Sequence, residues 1–305
     1  MHARRRRPAG LFRAPARTRT TRKEEGASPA AARRTRTAQH TMVAIIGAGK
    51  MGEALLAGLL GTGYAPADVL VAEPRQERAR EVAELYGVDV VSTREAAKRA
   101  ETVVLAIKPQ DMVNLLDDVS GELGSGTLVI SVAAGVTTST LERHITDDAA
   151  VVRAMPNTPA LAGTGMTAMS GGTHTTPEQL DRAERLLESV GSVVRVQERH
   201  MDTVTALSGS GPAYFYFIAE TMIEAGVAMG MPRDSARTLV SQTITGAATM
   251  LNEPGNHPVV LREAVTSPGG TTAAALRELE RHGVRSAFTD AIEAAARRSG
   301  ELSGD

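Results

Sequence analysis

Residues 43–60 read VAIIGAGKMGEALLAGLL, and this stretch decides how the rest of the chain is read. An apolar, β-branched run leads into Gly47, Gly49 and Gly52, spaced G-x-G-x-x-G, and a segment rich in Ala and Leu follows. The first glycine of such a triplet makes a tight turn, the second lets backbone approach a pyrophosphate, and the third lets the helix pack on the strand. The helix that opens there offers unpaired N–H groups and the positive end of its dipole to phosphate. Glycine-rich turns alone are common. The strand before and the helix after make this one the start of a Rossmann-like, dinucleotide-binding domain, and the absence of a Walker pattern sets it apart from a P-loop.

Outward from this turn, aliphatic runs alternate with helical segments as far as about Ala154: MVAII, the LVA run after Asp68, VDVV, TVVLAI, TLVISV and AVVRA. Repeated strand and helix units imply a parallel sheet with right-handed crossovers. The expected fold is therefore α/β, a Rossmann-like doubly wound parallel sheet. Residues 155–172 read as a Pro- and Gly-rich loop, residues 177–190 as a helix, and Val193 as the centre of a short strand. From Met201 onward only helices are expected, broken at residues 209–212, 230–232, 254–258 and 268–270 and at Gly283. The expected domains are a disordered basic extension (1–41), a dinucleotide-binding domain (42–200) and an all-helical C-terminal domain (201–305).

Composition narrows the chemistry. Hydrophobic residues make up 42% of the 305, yet aromatics only 3% and Trp is absent, so the core must be packed from Ala, Val, Leu, Ile and Met. The lack of cysteine removes disulfides, thiolate metal sites and Cys nucleophiles, and leaves the cytoplasm as the default compartment. The seven histidines are scattered without ligand spacing, so no metal site is expected. Residues 1–41 hold eleven arginines and Lys23 against Glu24 and Glu25; the remainder is acidic, although the whole chain carries only −1.

That basic segment cannot bury enough apolar surface to offset its chain entropy. It reads as a transit peptide, a nucleic-acid-binding arm, or an extension without function upstream of a start at Met42. The last reading carries the expectation that no nucleic acid is bound. A membrane is not expected either: the apolar stretch 212–231 is interrupted by Glu220 and Glu224 on one helical face, costly in lipid and ordinary in a protein interior or dimer interface.

The choice of nicotinamide stays open in the sequence. Glu73 stands 21 residues past Gly52, where an acid would bind the ribose 2′-hydroxyl of NAD, while Arg75 and Arg78 follow, and arginine suits a 2′-phosphate. Both arginines also fit a solvated helix face paired with neighbouring glutamates.

Four further segments carry a resemblance. AIKPQ (106–110), SVAAG (131–135) and MPNTP (155–159) each follow a strand, at the carboxyl edge where open α/β sheets bind ligands, and LREAVTSPGGTT occupies residues 261–272. Together with LSGSGPAYFYFIAE (207–220), they make residues 43–302 similar to the pyrroline-5-carboxylate reductases, and VTSPGGTT is the most specific element.

That resemblance implies reduction of the cyclic imine 1-pyrroline-5-carboxylate to L-proline, with NADPH as cofactor and NADH possible. It implies cofactor contacts at Gly47, Gly49, Lys50, Met51, Gly52, Ala106, Lys108, Pro109, Ser131 and Ala133, to which the offset from the glycines adds Glu73 and Arg75 as candidates. The substrate carboxylate is expected at Val265, Ser267, Gly269, Gly270 and Thr271, with the Thr272 hydroxyl facing the imine nitrogen. The SPGGTT stretch has suitable chemistry, since free N–H groups and hydroxyls opening a helix form an anion site, though the same residues also suit a plain turn with an N-cap. The apolar segments from Tyr214 to Met250 imply a homodimer at least, against a monomer that buries them in its own core.

Lysine usage bears on the reaction type. Lys108 is the last lysine, so the helical part offers none to protonate a carbonyl oxygen, as the β-hydroxyacid dehydrogenases require. An imine can take its proton from solvent beforehand. Reduction of another cyclic imine, or a non-catalytic NAD(P)-binding regulator, are the alternatives.

Overall fold

A computed structural model of the chain describes residues 41–124, 126–145 and 149–303. The disorder expected of the basic extension falls on residues outside that range. The first strand, β1 (Val43–Ile46), is buried along its whole length, as its unbroken aliphatic run requires. Alternate residues face opposite sides: Val43 and Ile45 join one apolar cluster, Ala44 and Ile46 another. Two-sided burial is what a parallel strand covered by helices on both faces demands.

Seven more strands complete one sheet: β2 (Val69–Ala72), β3 (Asp89–Val90), β4 (Thr102–Leu105), β5 (Leu128–Ser131), β6 (Ala150–Met155), β7 (Gly165–Gly171) and β8 (Gly191–Arg195). Their order is β3-β2-β1-β4-β5-β6-β7-β8. The first six are parallel in the 3-2-1-4-5-6 order of a doubly wound dinucleotide fold. The order reverses between β1 and β4, and a ligand crevice belongs at that switch point.

Helices α1 (Lys50–Gly61), α2 (Gln76–Tyr86), α3 (Thr93–Arg99), α4 (Met112–Val119), α5 (Thr138–His144) and α6 (Pro177–Leu187) flank the sheet. Leu55, Leu56 and Leu59 of α1 and Leu186 and Leu187 of α6 cover one face. Ala96 and Ala97 of α3, Leu116 of α4 and Leu141 of α5 cover the other. Burial of each such leucine stabilises the fold by about 2 kcal/mol. Sharp starts come from side-chain caps: Ser92 accepts the Glu95 N–H, and Thr176 and Gln179 form a reciprocal capping box.

Residues 155–172, expected as a loop, depart from that expectation. Gly165–Gly171 form β7, antiparallel to β6 and parallel to β8. GMTAMSG lacks the branched, alternating pattern of a strand, and pairing on both edges overrides that weak propensity.

Beyond β8 every regular element is helical: α7 (Met201–Val204), α8 (Gly211–Ala228), α9 (Arg233–Asn252), α10 (Pro258–Ala264), α11 (Thr271–Arg281) and α12 (Val284–Ser303). A π-turn at Thr205–Gly209 links α7 to α8, closed by the Ser210 N–H donating to the Thr205 carbonyl at 2.8 Å. Helices α8 and α9 lie together but bury little; Phe215, Tyr216, Phe217 and Leu239 are all exposed. Among the described residues, no helix is long and apolar enough to cross a membrane.

Candidate active site at the carboxyl edge of the sheet

The glycine turn is shaped by what its neighbours leave no room for. Gly47 has φ +100°, and a Cβ there would stand 2.5 Å from the Ala106 carbonyl oxygen. A Cβ on Gly52 would stand 2.0 Å from the Gly47 carbonyl oxygen, so the turn closes onto α1 only with glycine at that position. Gly49 differs: its backbone is extended and a Cβ would meet nothing within 4 Å. It is also the N-cap of α1, where no side chain satisfies the first N–H groups. An open face with unpaired donors at a helix start is what a pyrophosphate needs, so these residues fit a dinucleotide. Lys50 is exposed beside this face and Met51 half-buried.

The second strand delivers Glu73 to the same turn. Its carboxylate accepts the Ala48 N–H at 3.0 Å, the Arg75 N–H at 3.0 Å and the Arg75 Nε at 2.8 Å. Burial pulls the Glu73 carboxyl up, but the hydrogen bonds from Arg75 and Ala48 outweigh it and hold the group below its ordinary range. Arg78 acts elsewhere on the turn. Its Nε donates to the Ala48 carbonyl at 2.9 Å, and its terminal amino groups pair with Glu53 and with Glu81. It braces the turn from behind, a role with no signal in the sequence.

Strands β4 and β5 end on the same edge. Ala106 is half-buried against the turn, with its N–H on the Ile46 carbonyl at 2.8 Å, while Lys108 and Pro109 are exposed. Ser131 is fully buried and its hydroxyl accepts the Ala133 N–H at 3.4 Å, so the two shape the backbone of this loop. Next to them opens a cavity of about 740 Å³, lined among others by Pro109, Ala134, Gly135, Ser210, Arg298 and Leu302. Two of the three strand-end segments, AIKPQ and SVAAG, thus share one rim, while no residue of MPNTP lines the cavity. Helix α12 contributes to it as well, which no local motif in the sequence announces.

MPNTP reaches the helical part through Asn157. Its side-chain amide donates to the Ser208 carbonyl at 3.1 Å, and its carbonyl oxygen accepts the Met166 N–H at 2.9 Å. The π-turn that carries Ser210 to the cavity is thereby tied to the β6–β7 connection. π-turns within helices recur at functional sites.

The LREAVTSPGGTT segment stands apart from this rim. None of residues 265–272 lines the cavity. Val265, Ser267, Gly269 and Thr271 are exposed; Gly270 and Thr272 are half-buried. Gly269 has φ +68°, and Gly270 caps α11 with no side-chain hydrogen bond, so no side-chain cap satisfies the N–H groups opening α11. The segment opens a helix with glycines and hydroxyl side chains, an arrangement that suits an anion. Among the described residues no cluster of His, Asp or Glu could hold a metal ion.

Comparison with known proteins bears on both parts. A family described as pyrroline-5-carboxylate reductase dimerisation matches residues 198–302, and one described as NADP oxidoreductase, coenzyme F420-dependent, matches residues 42–135. The chain is 42% identical to a pyrroline-5-carboxylate reductase of Corynebacterium melassecola, over 86% of this chain and 98% of the relative. It is 40% identical to that of Arabidopsis thaliana, over 87% and 97%. Among solved structures, a pyrroline-5-carboxylate reductase from Coxiella burnetii superposes with a TM-score of 0.83 at 36% identity, covering 86% of this chain and 98% of the other. One from Plasmodium falciparum with NADP bound gives 0.77 at 29%, with the same coverage.

Proposed function

The chain belongs to the pyrroline-5-carboxylate reductase family, and from that premise we propose how its own residues reduce 1-pyrroline-5-carboxylate to L-proline with NAD(P)H. The observation that carries the reading is the open face of Gly49 at the uncapped start of α1, on the edge where Ala106–Pro109 and Ser131–Gly135 also end. The dinucleotide, when bound, supplies the hydride. Gly47, Gly49, Lys50, Met51 and Gly52 hold its pyrophosphate; Glu73 and Arg75 meet the adenosine ribose; Ala106, Lys108, Pro109, Ser131 and Ala133 form the wall along the rim.

Substrate binding falls to the start of α11. Val265, Ser267, Gly269, Gly270 and Thr271 surround the carboxylate with backbone N–H groups and hydroxyls, in a segment with no lysine to pair with. Thr272 orients the imine nitrogen. The imine takes its proton from water before reduction, so the helical part needs no strong acid, in keeping with the absence of lysine after Lys108. Catalysis then rests on positioning. NADPH is the working cofactor, with NADH accepted, and the exposed guanidinium of Arg75 supports that order.

The active unit is a homodimer or a higher homo-oligomer, supported by the dimerisation family match and by the exposed apolar residues of α8 and α9. We place it in the cytoplasm, acting on a small molecule, with no membrane or nucleic-acid partner. The test is oxidation of NADPH and NADH by the full chain with pyrroline-5-carboxylate, piperideine and other imines. Turnover fastest with pyrroline-5-carboxylate supports the reading. Faster turnover with another imine reassigns the substrate, and dinucleotide binding without turnover on any imine points to a regulator.

A further inference from the structure

The Glu73 carboxylate is saturated. Oε2 accepts the Ala48 N–H at 3.0 Å and a terminal amino group of Arg75 at 3.2 Å; Oε1 accepts the Arg75 N–H at 3.0 Å and Nε at 2.8 Å. Four donors use about all the lone-pair sites a carboxylate has. Two of them, the backbone N–H groups, fix the carboxylate beside the glycine turn, where its side chain is only 3% exposed. The other two come from one guanidinium that is 67% exposed and can swing away. Arg78 lacks this freedom, being held by the Ala48 carbonyl, Glu53 and Glu81.

A ribose hydroxyl can therefore reach Glu73 only by displacing the Arg75 side chain, and a 2′-phosphate can recruit Arg75 only by taking it from Glu73. We propose that Glu73 and Arg75 form an exchangeable ion pair that selects between the two nicotinamide dinucleotides, the freed carboxylate receiving the ribose hydroxyls of NADH and the freed guanidinium receiving the 2′-phosphate of NADPH. The proposal rests on the dinucleotide reading of the glycine turn. Both cofactors must break the same pair. Glu73 stays anionic and opposes a 2′-phosphate; Arg75 competes with the NADH ribose for the carboxylate. Each residue favours one cofactor and penalises the other.

The two side chains can be neutralised separately. NADPH and NADH are titrated without imine into the full-length wild type, Glu73→Gln and Arg75→Gln, following nicotinamide fluorescence, with thermal unfolding of each protein alone as a check on folding. Glu73→Gln should tighten NADPH and weaken NADH; Arg75→Gln should do the reverse. The affinity ratio should move about tenfold in opposite directions. Raised salt should weaken NADPH binding more in the wild type than in Arg75→Gln. Equal shifts for both cofactors, or none, overturn the selector while leaving the dinucleotide site intact. A wild type that binds neither overturns the site and the selector together. If Glu73→Gln fails to fold, the ratio in Arg75→Gln decides alone, since that side chain is solvent-facing.

Discussion

Gly52 and Gly49 stand three residues apart and constrain the chain in different ways. A methyl on Gly52 meets the Gly47 carbonyl at 2.0 Å, so Gly52→Ala must push α1 off the turn. A methyl on Gly49 meets nothing within 4 Å and projects into the open space where we place the pyrophosphate. Gly52→Ala should lower thermal stability and dinucleotide affinity together; Gly49→Ala should keep the melting temperature and lower affinity alone, about tenfold or more. Calorimetry and fluorescence titration on the two variants check this. Thr272→Ala should lower turnover while dinucleotide binding persists; unchanged kinetics would remove the hydroxyl from its place at the imine nitrogen.

Acid acts on this scale too. The Glu73 carboxyl lies below its ordinary 4.5 in the folded chain, so the unfolded chain binds its proton first. Its contribution to stability is complete above that ordinary value and is lost as pH falls through the lowered one. Glu73→Gln should flatten that part of an acid-unfolding profile, and an unaltered slope would show the ion pair to be irrelevant to stability. Glu73 is legible in the sequence by its offset from the glycines. Its saturation by Arg75 and Ala48 is not, because that depends on how a strand end and a turn meet in space.

At the scale of elements, legibility followed local pattern. Strands β1, β2, β4, β5 and β6 carry aliphatic runs, and α1 follows a glycine turn; all of these are local signals. β7 carries none, and exists because β6 and β8 supply partners on both edges. Asn157 links it to the helical part through two hydrogen bonds, to the Ser208 carbonyl and from the Met166 N–H. Asn157→Ala leaves both groups without that partner and should cost about 2 kcal/mol in denaturant unfolding. Because the π-turn that contains Ser208 leads to Ser210 at the cavity, the variant should also change KM for the imine more than dinucleotide affinity. A variant as stable and as active as the wild type would show that the turn holds itself.

For the whole molecule, the surface that calls for a partner is that of α8 and α9. Phe217 is 70% exposed, with Phe215 and Tyr216 beside it, far more apolar exposure than a solvated helix tolerates alone. The candidate substrate segment at the start of α11 lies outside the cavity at the sheet edge. On the proposed reading, association of helical parts brings a second copy of the α11 start to the cavity that this chain's own residues 265–272 do not line. Phe217→Glu should place charge into that contact, shift the protein toward monomer in analytical ultracentrifugation, and abolish imine reduction while leaving NADPH titration within about twofold of the wild type. The dinucleotide turn should be indifferent, because its contacts come from the sheet, from α1 and from residues 73–78. A monomeric variant with full turnover would show that one chain suffices, and that α11 moves to the cavity unaided.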